Sequence, residues 1–132
     1  MVESRLWGRT ALWVLTVASL SCGGSDGSSN PPTNPTTNPY TVTISGSGIV
    51  GPKELTVPPG SRVLFVNSHS RRHDMTSDPH PDHLDCPELN QVGVLNAGQS
   101  RESGNLVTVR TCGFHDHDDP NNDNLRGSII VR

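Results

Sequence analysis

Arg110-Thr-Cys-Gly-Phe-His-Asp-His117, an Asp/Asn-rich loop, and then Leu125-Arg-Gly-Ser-Ile-Ile-Val131 form the stretch that decides how this chain reads. A thiol (Cys112) and two imidazoles (His115, His117) lie between two apolar, β-branched runs, Val107 to Arg110 and Ser128 to Val131. That pattern predicts two strands with the donors on the loop joining them. A loop clamped at both ends holds soft and borderline ligands at nearly fixed separation, as a copper or zinc ion requires.

The other elements are short and β-type. Tyr40-Thr-Val-Thr-Ile44 alternates, and Gly46 to Gly51 turns the chain. Leu55-Thr-Val57 runs into the turn Pro58-Pro59-Gly60, and Arg62-Val-Leu-Phe-Val66 is the most apolar strand candidate. Val92-Gly-Val-Leu95 and Leu106-Val-Thr-Val-Arg110 are two more. Between them lies a long polar excursion, Asn67 to Asn90, with four of the six histidines. No stretch has a helical period with caps. Short strands between Gly/Pro turns predict an all-β sandwich or barrel. An excursion of this length is usually functional or disordered, and its density of metal-ligating side chains favours function.

The beginning of the chain reads as an export signal. Arg5 and Arg9 supply positive charge before Ala11 to Leu20, an apolar run too short for a stable membrane span. Ser19-Leu20-Ser21-Cys22-Gly23 resembles a bacterial lipoprotein cleavage site, with Leu20 one place later than usual. Residues 1–21 are thus expected to be a lipoprotein-type signal and Cys22 the lipidated residue. The alternative is ordinary signal cleavage nearby, leaving Cys22 free. Residues 22–39, almost all Gly, Ser, Asn, Pro and Thr, have nothing to bury and predict a disordered tether. Residues 40–132 remain for one small domain. A net charge of −3 and the lack of a basic stripe argue against nucleic-acid binding.

Several pieces of this domain, in this order, resemble the cupredoxins, the small blue-copper proteins that include plastocyanin and pseudoazurin. They are Pro59-Gly60 leading to Phe65-Val66-Asn67, His73 six residues after that Asn, and Val94-Leu95-Asn-Ala-Gly98-Gln99-Ser100. Cys112-Gly-Phe-His115 and Leu125-Arg-Gly127 complete the set. The resemblance implies a Greek-key β-sandwich or barrel binding one copper ion through His73, Cys112 and His115, with Leu125 at the axial position. Leu125 cannot donate, so such a site would be three-coordinate and biased towards Cu(I). The sequence departs from the family in three ways. The loop from His115 to Leu125 is long, Asp74 stands where Asn is common, and Cys86 is additional.

Cys86 opens a second possibility. With Cys22 lipidated, Cys86 and Cys112 are the remaining cysteines of an exported chain, which reads directly as a disulfide. That bond would remove the thiolate and leave a non-blue site of imidazoles and carboxylates, or none. Secondary metal candidates are His117, Cys86, Met75, His80 and His83. His117 lies two residues past His115, so in an extended segment the two rings point the same way. His80 and His83 read more simply as exposed loop residues, and His69 as solvated. The leading functional expectation is a monomeric, lipid-anchored one-electron carrier of the cell envelope, with redox partners at the membrane and no enzymatic activity. The alternatives are a metal-handling module and a purely structural domain.

Overall fold

The computed structural model describes residues 38–132. The predicted signal, Cys22 and nearly all of the tether lie outside the described residues.

Two mixed sheets pack face to face, and no α-helix occurs among the described residues. The first sheet runs in the order β2 (Val50–Gly51), β1 (Thr41–Ile44), β4 (Leu64–Asn67), β7 (Ser100–Glu102). The second runs β3 (Glu54–Val57), β9 (Gly127–Val131), β8 (Arg110–Asp116), β5 (His73–Ser77), β6 (Gly93–Leu95). Pairing is parallel for β1–β4 and β3–β9 and antiparallel elsewhere. This is the expected β-sandwich.

Period-two burial builds the core. Val42 and Ile44 of β1, Phe65 of β4, Met75 of β5, Phe114 of β8, and Ile129 and Val131 of β9 all point between the sheets. Phe65 and Phe114 meet edge to face, centroids 5.2 Å apart, and join the sheets at their centre. Such a pair adds about 0.5–1.5 kcal/mol beyond its area burial.

Four elements differ from the sequence reading. Arg110 to Asp116 is a strand, so Cys112 and His115 sit within the sheet and not on the joining loop. His73–Ser77 forms a strand inside the polar excursion, since its buried positions include the polar His73 and Ser77. Ser100–Glu102 is an edge strand with every residue exposed. Val107 and Val109 belong to no strand, only Leu106 bridging to Ser61, and they are 57% and 68% exposed.

Candidate metal centre

Strand β8 presents different chemistry on its two faces. Cys112, Phe114 and Asp116 share the inward parity, while Thr111, Gly113 and His115 face outward. On β5 the register pairs Met75 with Asp116 and Thr76 with His115, so His73, Met75 and Ser77 face inward with Asp116.

Cys112 is disulfide-bonded to Cys86, and both are fully buried. Cys112 was expected as a copper thiolate; paired with Cys86 as it is here, neither sulfur carries a thiolate. The bond ties the segment after β5 down onto β8. His73 and His115 also do not converge, because the parity of adjacent strands sends them to opposite faces of one sheet. Met75 is a core residue, 1% exposed. Leu125 lies near His73 in the wall of one cleft and is itself buried, with no donor to contribute.

On the outer face the structure brings together four imidazoles. One ring nitrogen from each of His80, His83, His115 and His117 lies within 4.8 Å of the other three. His115 comes from β8 and His117 from just beyond it, where the His117 backbone N–H bonds to the Asp74 carbonyl at 2.7 Å. His80 and His83 come from the segment that the disulfide holds. His83 has φ of +55°, in the left-handed region that a β-carbon disfavours. Asn90 fixes it there by donating to its carbonyl at 2.9 Å. Such strain in a tightly tied loop is common at functional sites.

The hydrogen bonds set the tautomers. His115 Nδ1 is 2.6 Å from Asp78 Oδ1, so the ring donates from Nδ1 and keeps its lone pair on Nε2. That Nε2 is buried and has no hydrogen-bond partner. His83 Nδ1 is 2.8 Å from the Ser77 carbonyl, which only accepts, so its Nε2 lone pair faces the cluster, 3.0 Å from His117 Nδ1. A carboxylate or carbonyl behind a ligating imidazole is the usual outer partner at metal sites. The residues present therefore fit a metal ion: an orphaned buried nitrogen, three more imidazoles within reach, and two tautomers fixed from behind. Desolvation lowers the His80 pKa below its ordinary 6.5, and the neighbouring His117, His115 and His83 lower it further. This favours the neutral form of His80, one of the two exposed members, as ligation requires.

From the sequence, His80 and His83 read as exposed loop residues. Their signal was the spacing His80-x-x-His83-x-x-Cys86: once Cys86 is paired with Cys112, the two histidines are carried to within reach of His115.

The two-sheet sandwich carries, on one strand and its neighbouring loops, a histidine cluster that could hold a metal ion. Its fold is that of the cupredoxins. A purple cupredoxin from Nitrosopumilus maritimus is 20% identical, over 70% of this chain and 99% of its own, with a TM-score of 0.57. Oxidised plastocyanin from Dryopteris crassirhizoma is also 20% identical, over 70% of this chain and 100% of its own, at 0.55. A reduced amicyanin carrying a single substitution is 18% identical, over 73% of this chain and 84% of its own, at 0.56. No protein-family profile and no curated protein matches the chain.

Proposed function

We propose that this domain is a copper-binding, metal-handling module. It holds an ion through His80, His83, His115 and His117 rather than through a blue-copper thiolate. The observation that carries this reading is the buried, unpartnered His115 Nε2 in reach of three other imidazoles. An all-imidazole set suits Cu(II) and Zn(II), and the cupredoxin fold favours copper. Asp78 and the Ser77 carbonyl hold the His115 and His83 rings and fix their tautomers, and the disulfide keeps the loop histidines in place. The ion itself would supply charge and, as copper, one-electron redox capacity.

A second reading, the one-electron carrier, is favoured by the fold neighbours, whose descriptions include oxidised, reduced and Cu(I) forms. In either role the domain is taken as monomeric and without enzymatic turnover. We further propose export and a lipid anchor at Cys22, with partner proteins at the membrane of the cell envelope; a structural disulfide suits an oxidising compartment.

Titration of the purified chain with Cu(II), followed by absorption and then by ascorbate reduction, tests both readings. Stoichiometric uptake without an intense thiolate-to-copper band, lost in His115→Ala, is expected. Release of copper on reduction selects metal handling, whereas reversible cycling with copper retained selects electron transfer. An intense thiolate band, or uptake unchanged in His115→Ala, overturns the site. Incorporation of labelled palmitate, abolished in Cys22→Ala, tests the anchor.

A further inference from the structure

A cleft of about 500 Å³ opens beside the four-histidine cluster, lined by Asp78, Pro79, His80, Pro120, Asn121 and Arg126. It shares His80 with the cluster and Asp78 with His115, whose ring that carboxylate holds. Its walls come from both sides of strand β8 in the chain. Asp78, Pro79 and His80 follow β5, whereas Pro120, Asn121 and Arg126 lie on the connection from β8 to β9.

The donor set leaves an ion's charge unbalanced. Among the described residues the grouped donors are four imidazoles, with no carboxylate or thiolate among them. Neutral imidazoles leave a divalent ion its full charge, and four of them leave further positions open in a tetragonal shell. His115 is buried, while His80 and His117 are exposed, so an incoming ligand approaches from their side. The cleft lies on the His80 side.

Arg126 gives that cleft its chemistry. Its guanidinium is 3.8 Å from Asp78 Oδ2, too far for a hydrogen bond, so it spends no donor on that carboxylate. A guanidinium presents a planar fork of N–H groups that matches a carboxylate two bonds at a time. Asn121 adds amide donors, and Pro79 and Pro120 offer apolar wall for a short carbon chain. The charge of Asp78 on the same wall favours an anion of one negative charge over the dianion of phosphate. We propose that this cleft binds a small monocarboxylate as co-ligand of the ion held by the four histidines, an inference that rests on that site. The carboxylate pairs with Arg126 and Asn121 and completes the ion's shell on the His80 side. It is neither oxidised nor reduced; it offsets one unit of the ion's charge. Arg126 is thus a specificity residue for the anion and not a metal ligand.

The test is Cu(II) affinity of the full chain with sodium acetate as the probe and sodium perchlorate at equal ionic strength as the control. The competitor is a chelator that fills the ion's shell, so acetate bound to free copper affects both sides of the competition alike. An anion with a dissociation constant of about 10 mM, present at about 100 mM, raises apparent copper affinity about tenfold by mass action. That gain is expected in the wild type, together with an acetate-dependent shift of the copper absorption and electron paramagnetic resonance spectra. Arg126→Ala is expected to lose the gain and the shift, and Arg126→Lys to keep part of both, each measured against its own copper uptake without acetate. If the wild type binds copper with no response to acetate, or responds equally to perchlorate, the anion site is refuted and the four-histidine site stands. An acetate gain undiminished in Arg126→Ala refutes it as well. If the chain takes up no copper with or without acetate, the four-histidine reading falls and the co-ligand falls with it.

Discussion

Asp78→Asn is the sharpest perturbation of the outer cluster, because it changes charge without changing shape. Asp78 Oδ1 lies 2.6 Å from His115 Nδ1, while its other oxygen is 3.8 Å from Arg126. The carboxylate orients the His115 ring and locks its tautomer, and the buried Nε2 depends on that lock. Loss of such a partner weakens metal binding about 10- to 100-fold, or about 1.4–2.7 kcal/mol. The Asp78 side chain is 24% exposed, so solvent screens part of its charge, and an amide oxygen still accepts from Nδ1. Asp78→Asn is therefore expected near the tenfold end, and Asp78→Ala, which removes the acceptor, nearer a hundredfold. The assay is competition for Cu(II) with a chelator of known affinity, at fixed pH and salt, on variants with wild-type circular dichroism. If both variants bind as tightly as the wild type, His115 is not a ligand oriented by Asp78, and the argument from its orphaned nitrogen fails.

Gly113→Ala would place a β-carbon onto the Asp78 carboxylate, which overlies that residue. It is expected to lose about 1–3 kcal/mol by denaturant titration, with copper affinity falling as Asp78 is displaced. The Cys86–Cys112 bond spans a sequence separation of 26. The double variant Cys86→Ser/Cys112→Ser is expected to lose about 3.5 kcal/mol of stability to unfolding. It should also bind copper more weakly, because His80 and His83 are no longer tied to β8; unchanged affinity would show that the loop needs no staple. The lowered His80 pKa sets a pH dependence. At His80 the folded chain resists a proton that the unfolded chain accepts, so this residue costs the metal-free domain nothing above its ordinary pKa of 6.5 and lowers stability as pH drops below it. His80→Gln should flatten that part of the melting-temperature profile, and a profile identical to wild type would contradict the shift.

Much of the sandwich was legible because its core strands keep period two. Val42 and Ile44, Phe65, and Ile129 and Val131 are apolar at alternate buried positions. Strand β8 was hidden by its polar residues: His115 and Asp116 are consecutive, polar and both buried, each on its own face, so hydrophobic alternation stops there. Strand β5 was obscured in the same way by His73 and Ser77. Val107 and Val109 misled in the opposite direction, as apolar β-branched residues left outside any strand. The candidate donors were visible as residue types, but which of them meet depends on strand parity and on the partner of Cys112. Neither can be read from spacing alone.

The pairing of Cys112 with Cys86 also changes what the domain can do with copper. A thiolate is a soft donor that stabilises Cu(I), and with two imidazoles in a plane it serves both oxidation states with little rearrangement. Four imidazoles are harder as a set and move the balance towards Cu(II) and Zn(II). In the proposed site, reduction therefore weakens the ion's hold, most of all at the exposed His80 and His117, while His115 remains buried beneath the loop. An ion held more tightly when oxidised than when reduced is one that a reductant can release. That asymmetry is why metal handling is the first reading of this cluster and electron transfer the second.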